Sequence, residues 1–251
     1  MQILGIIPSR YSSTRFPGKP LAMIGGKTMI HRVYERASQA FADVVVATDD
    51  QRIYNEVTSF GGRAVMTSEK HQSGTDRCAE AAMKYSQATG KEFSAVINIQ
   101  GDEPFVDPQQ LLQLAQLFND PSVEIATLVK RAKTSDEVFS ENTAKVIVNN
   151  LSQAVYFSRS PIPFYRGKAR EEWVSNHLYY RHIGVYAYRT DILQKITLLP
   201  QSSLELAEKL EQNRWIENGY NIKVCVTDFE GLAVDTPEDL EKILKTIPLT
   251  D

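Results

Sequence analysis

Cysteine is scarce: Cys78 and Cys225 are the only two in 251 residues. They lie far apart, neither in a CxxC nor beside a pair of histidines, so neither a disulfide framework nor a zinc site is indicated, and buried free thiols are expected. Long apolar runs are missing too, since none approaches the roughly 20 residues that span a bilayer. The sequence opens at Met1 on a strand-like segment instead of a charged and then apolar leader, and a soluble, cytoplasmic protein is expected. An excess of positive charge is also lacking. Lys plus Arg total 28 against 31 Asp plus Glu, a net charge of -3. The pI of 5.9 is far below the values above about 9 that mark nucleic-acid-binding domains. There is no repeat, low-complexity tract or linker, and hydrophobic residues make up 42%. One domain over 1–251 is expected, with an extension at about 139–181.

Against that background one stretch stands out. IIPSRYSSTRFPGKPLAMIGGK, residues 6–27, carries Arg10, Arg15, Lys19 and Lys27 and no acidic residue. Local positive charge in a mildly acidic chain suits a small, concentrated anion. Ser12, Ser13 and Thr14 add hydroxyl donors, Gly18 lets backbone approach closely, and Pro17 and Pro20 limit the loop's freedom. A triphosphate would be gripped in this way. Gly26-Lys27-Thr28 matches the end of a P-loop, but the first glycine of that pattern would have to be Leu21, so the match fails. Gly25-Gly26 reads as a turn and Lys27 as a surface residue.

The apolar runs 3–7, 44–48, 64–66 and 95–99 are short, β-branched and nearly continuous, as strands covered on both faces should be. Between them, 29–39, 51–59, 76–88 and 108–118 have helical spacing, with Thr75 and Asp107 as capping candidates. This alternation predicts an α/β fold with a mostly parallel, doubly wound central sheet. The charged loop directly follows the first strand, at the carboxyl edge where such sheets bind ligands. Farther on, 145–148, 154–158 and 183–188 read as strands with few helices between them, which predicts antiparallel additions. The spacing predicts one helix over 203–218, a strand over 221–226 and a last helix over 236–246.

IPSRYSSTRFPGKPL resembles the signature loop of the sugar nucleotidyltransferases, most nearly the 3-deoxy-manno-octulosonate (KDO) cytidylyltransferases. The resemblance continues in VVVATDD from Val44, HQSGTDR from His71, VINIQGDEP from Val96, YFSRSPIP from Tyr156, RHIGVYAYR from Arg181, AEKLEQNRW from Ala207 and VDTPEDL from Val234. It covers essentially the whole chain, and the order of so many motifs makes a chance match very improbable.

The resemblance implies a Rossmann-like nucleotide-diphospho-sugar transferase fold and transfer of CMP from CTP to KDO, for lipopolysaccharide synthesis. It places Pro8, Arg10, Ser13, Thr14, Arg15 and Lys19 on the nucleotide together with Gln72, Ser73, Gly74, Arg77 and Asp102. Arg10, Arg15, Lys19, Asp102 and Asp235 are the expected catalytic group, with magnesium held by Asp102 and Asp235, since a hard cation takes oxygen ligands. Asp235 before Thr236-Pro237 also reads as a helix N-cap, and Thr75 with Asp76 as a plain capping turn.

On the sugar side, Gln100, Arg159, His182, Tyr186, Glu211 and Gln212 are expected. A guanidinium can hold the KDO carboxylate bidentately, and His182 and Tyr186 would share one face of a strand. Ser9 and Asn213 depart from residues common among the relatives, which leaves an amino-substituted KDO open as acceptor. Sialic acid is the rival acceptor, and a noncatalytic sugar-nucleotide sensor the rival of another class. The family resemblance also implies a homodimer.

Overall fold

The run ILGIIPS forms β1 (Ile3–Ser9), with Leu4, Ile6 and Ile7 fully buried, as a strand covered on both faces requires. The charged loop leaves its carboxyl end and runs through a tight 3-10 turn, Lys19–Leu21, into a small hairpin of β2 (Met23–Ile24) and β3 (Lys27–Thr28). Gly25 at the hairpin tip has φ 63°, which glycine adopts freely. Lys27, expected at the surface, is half-buried, because its ammonium reaches both Glu35 oxygens at 2.8 and 2.9 Å. Then α1 (Met29–Ala40), β4 (Asp43–Thr48), α2 (Gln51–Ser59), β5 (Ala64–Met66), α3 (Gly74–Thr89), β6 (Ala95–Asn98) and α4 (Pro108–Gln116) follow. β1 pairs in parallel with β4 and β6, and β4 with β5, so the predicted alternation is present. The cap of α3 is Ser73 instead of Thr75. Ser73 Oγ accepts from the Asp76 N–H while the Asp76 side chain accepts from the Ser73 N–H, a reciprocal pair that Thr75, inside the helix, could not form. Asp107 does cap, with Oδ1 2.9 Å from the Gln109 nitrogen.

The computed structural model describes residues 1–229 and 231–246. They form two compact units, Met1–Ala115 with the C-terminal segment, and Gln116–Phe229. The second unit contains β7 (Ile125–Arg131), α5 (Ser135–Phe139), β8 (Lys145–Val148), β9 (Gln153–Ser158), α6 (Trp173–Asn176), β10 (Tyr180–Arg189), α7 (Thr190–Ile196), α8 (Ser203–Glu208), α9 (Gln212–Glu217) and β11 (Ile222–Val226). β11 runs parallel to β7, whereas β10 is antiparallel to β7 and β8, and β9 antiparallel to β8 and β11. These are the expected antiparallel additions. The chain then returns to the first unit and ends its described part in α10 (Pro237–Thr246).

Two further expectations differ from the structure. The single helix over 203–218 is two helices, because Lys209 takes φ 54° and ψ 43° and turns the chain after Glu208. The Glu208 carbonyl freed there accepts from Arg159 Nε at 2.8 Å. Of the free thiols, Cys78 is buried but Cys225 is only partly so. Among the described residues no helix is long and apolar enough to cross a membrane.

Candidate active site

The loop after β1 is built on Tyr11. Its carbonyl accepts from the Gly18 N–H at 2.9 Å, and its ring lies 3.3 Å from the Arg52 guanidinium, which Asp50 holds at 2.7 Å. Gly18, at φ 73°, brings the chain so close that a Cβ would stand 3.0 Å from that ring. The turn delivers Lys19 between two carboxylates: Nζ lies 2.7 Å from Asp102 Oδ2 and 3.4 Å from Asp235 Oδ1. Arg15 adds a two-pronged contact with Asp235 at 3.2 and 3.3 Å. The Val234 N–H donates to the Asp102 carbonyl at 2.9 Å, lacing the two acidic segments together. Thr236 Oγ1 accepts from the Asp239 N–H at 3.2 Å, so Thr236 is the cap of α10 and the Asp235 side chain is turned to the cations instead.

These groups border a cavity of about 280 Å³. It is lined by Pro8, Arg10, Ser13, Arg15 and Lys19 from the loop, by Gln72, Ser73, Gly74 and Arg77, and by Gln100, Asp102 and Asp235. Thr14 is exposed and does not line it. Arg77 lines it as a buried strut, with one nitrogen 2.6 Å from Asp49 Oδ2 and another 2.6 Å from Thr67 Oγ1. Beside Asp102, burial first and the Asp102 charge second push Glu103 up to about 7. Asp102 and Asp235 already share one cation, Lys19, so they stand close enough to serve a single ion. Among the described residues no cluster of three or more His, Cys, Asp or Glu makes a closed metal cage. Two carboxylates beside space for phosphate and water are what magnesium accepts.

The other expected sugar residues belong to the second unit. Thr127 Oγ1 lies 2.9 Å from His182 Nε2, and burial pulls that imidazole down to about 3, leaving it neutral. The His182 and Tyr186 rings are 5.1 Å apart although the β10 register shifts between Ile183 and Tyr186. Burial, with the charges of Tyr188 and Glu211, raises the Tyr186 phenol well above its ordinary value. Tyr186 OH and Gln212 Nε2 are buried without a hydrogen-bond partner among the described residues, a deficit that a polar ligand would fill. Arg159 is already engaged, by the Glu208 carbonyl through Nε and the Glu141 carbonyl through Nη1. Asn213 does not face a pocket. It is fully buried and bridges the Phe157 backbone, donating to its carbonyl at 2.9 Å and accepting from its nitrogen at 3.3 Å.

A family model described as cytidylyltransferase matches residues 4–224. A 3-deoxy-manno-octulosonate cytidylyltransferase of Bacteroides thetaiotaomicron is 57% identical over 96% of both chains. One of Parabacteroides distasonis is 54% identical over 97% of both. The chain belongs to the 3-deoxy-manno-octulosonate cytidylyltransferase family. A solved structure of CMP:2-keto-3-deoxy-manno-octonic acid synthetase complexed with CTP superposes with a TM-score of 0.89, at 43% identity and over 98% of both chains. A glucose-1-phosphate thymidylyltransferase from Bacillus anthracis, 14% identical with a TM-score of 0.66, shares the fold.

In this cytidylyltransferase four cavity residues lay outside the expected set: Ser9, Gly101, His71 and Pro20. Ser9 lines the cavity with its hydroxyl buried and unpartnered among the described residues. Gly101 allows the Asp102 turn to sit against β1, since a Cβ there would lie 3.0 Å from the Pro8 carbonyl oxygen and 3.3 Å from Ser9 Oγ. Its signal was a glycine just past a strand end. Gly101→Ala is expected to cost about 1–3 kcal/mol and to lower turnover on the order of 10-fold or more by displacing Asp102. Thermal unfolding and pyrophosphate release would measure both, and wild-type values would show that the contact relaxes freely.

The third residue, His71, is held by Glu80 through Nε2. Glu80 also accepts from the Ser68 N–H at 2.8 Å and pairs with Lys84 at 2.6 Å. Burial alone would raise the Glu80 pKa, but the bonds from Lys84, Ser68 and His71 outweigh it and bring it to about 2 from an ordinary 4.5. A carboxyl lowered in this way stabilises the fold above its unfolded pKa, and the contribution fades as pH falls from about 4.5 towards 2. It should amount to about 2–3 kcal/mol, reduced for partial exposure. Urea unfolding of Glu80→Gln across that window should show a flatter acid limb than the wild type; parallel curves would remove Glu80 as the cause.

Proposed function

We propose that this protein transfers CMP from CTP to KDO, releasing pyrophosphate, with Lys19, Asp102 and Asp235 at the reacting end of the nucleotide. The observation that carries the reading is the convergence of those three residues beneath a loop whose charges are all positive. Arg10, Arg15 and Lys19 bind the triphosphate, Lys19 near the α-phosphate. Ser13, Gln72, Ser73 and Gly74 hold the rest of the nucleotide, while Arg77, tied to Asp49, shapes the wall. The anomeric hydroxyl of the sugar forms a bond to the α-phosphorus in line with the breaking bond to pyrophosphate. The protein's work is positioning and stabilising charge, with little covalent chemistry of its own. Asp102 and Asp235 would hold magnesium, which would neutralise charge growing on the phosphate oxygens, and a second magnesium on the sugar would make the attacking hydroxyl more acidic.

For the acceptor, Arg159 takes the carboxylate, while His182, Tyr186, Glu211 and Gln212 of the same unit take hydroxyls. The unpartnered Tyr186 and Gln212 atoms support a polar occupant. A homodimer completes the reading, supported by the exposed apolar side chains Val155, Phe164, Leu178 and Val226. The test is pyrophosphate release with CTP, magnesium and a panel of KDO, 8-amino-KDO and sialic acid. KDO alone should give release. CTP binding with no release for any acceptor would favour a sensor instead.

A further inference from the structure

Lys145, on β8, is fully buried, a rare place for a lysine, and the reaction above makes no use of it. Its Nζ donates to two backbone carbonyls, Ser140 at 2.6 Å and Thr143 at 2.5 Å. Between them in the chain lies Glu141, whose carbonyl accepts from Arg159 Nη1 at 3.0 Å. The turn at 140–143 is therefore gripped by two cations through three of its carbonyls. On its far side Arg159 is fixed by Glu208, whose backbone carbonyl takes Nε and whose carboxylate takes the Arg159 N–H at 2.9 Å. That carboxylate is already shared with the Ser158 and Tyr156 hydroxyls at 2.6 and 3.1 Å. If the turn moves, the guanidinium loses one of its two anchors. Burial, and after it the Arg159 charge, bring Lys145 down to about 8, so the two cations feel each other. A corner with this balance suits an anionic guest.

We propose that Lys145 is a positioning residue for the acceptor: by fixing the 140–143 turn it aims the guanidinium of Arg159 at the acceptor's carboxylate. This rests on the reading of the acceptor as an acidic sugar.

The experiment is pyrophosphate release by Lys145→Met and Lys145→Gln, with CTP and KDO varied separately. Lys145→Met should raise the KM for KDO on the order of 10-fold while leaving the KM for CTP within about twofold. Lys145→Gln keeps N–H donors for both carbonyls but on a side chain one bond shorter, so the KM for KDO should rise about two- to threefold instead of 10-fold. An unchanged KM for KDO in folded Lys145→Met overturns the proposal. So does a fall in kcat or in folded fraction with neither KM altered, which is what a merely structural lysine would give. Should Lys145→Met not fold, Lys145→Gln decides: a residual rise of about two- to threefold in the KM for KDO alone supports the role, and wild-type values overturn it. A wild type that turns over CTP with a neutral sugar but not KDO overturns the acceptor reading, and this role with it, before any variant is assayed.

Discussion

Asp102→Asn is expected to abolish pyrophosphate release, a fall in kcat of at least about 10³-fold, while the protein stays folded. The two halves of that expectation have separate causes. The Asp102 side chain is 29% exposed and asparagine has its shape, so no core contact is lost. The backbone bond from Val234 to the Asp102 carbonyl is untouched by the change. What disappears is one negative charge 2.7 Å from Lys19 Nζ. Lys19 would then be left to Asp235 alone, at 3.4 Å, and a divalent cation would lose one of its two carboxylate ligands. Both effects act where charge grows in the transition state, so the loss should fall on kcat. Single-turnover release with an unfolding curve taken alongside is the measurement. Near-normal kcat in the folded variant would sink the metal assignment and leave Asp102 as a partner for Lys19 only.

The sequence made most of the first unit legible because its signals are local. Short β-branched runs and helical apolar spacing each report on a few neighbouring residues, and β1, β4, β5, β6 and α1 to α4 lie close to where that spacing puts them. The cavity was legible for a different reason: Arg10, Arg15 and Lys19 are charges with no nearby compensation in the chain, and the motifs holding Gln72, Asp102 and Asp235 follow strands or precede helices. Long-range or atypical features were hidden. Nothing near Lys209 announces a left-handed residue, because the apolar spacing of a helix runs on across the break at 208–212. Arg77 reads as a cation for a nucleotide until Asp49, 28 positions away, is seen to hold it. Arg159 looked like an uncommitted guanidinium, although Glu208 and Glu141 claim two of its nitrogens. Ser73 was a legible miss, since an acidic residue three positions on selects it over Thr75 as the cap.

Arg214→Met should destabilise the second unit by about 3–5 kcal/mol, the cost of breaking a buried ion pair from one side. The Arg214 side chain is 9% exposed and lies 2.9 Å from Glu205, itself 9% exposed, and 3.1 Å from Glu211. A further bond runs from its Nη1 to the Leu199 carbonyl at 3.0 Å. Methionine fills similar space but leaves the Glu205 charge buried without its cation. Glu205 is also the residue whose carboxylate takes the Ser202 N–H in the capping box of α8, so the strain spreads into that helix. Adding Glu205→Gln should therefore recover part of the loss, because an amide oxygen can still cap and no uncompensated charge remains. Trp173 and Trp215, the only two tryptophans, both lie in the second unit. Their fluorescence during urea unfolding reports that unit alone. An Arg214→Met midpoint equal to wild type would mean the pair is as well solvated as a surface bridge. A double variant no better than the single would mean that packing, not the stranded charge, carries the cost. Activity supplies an independent reading, because Glu211 loses its contact with Arg214. The KM for KDO should rise in whatever fraction remains folded, and a KM that stays at its wild-type value would remove Glu211 from the acceptor site.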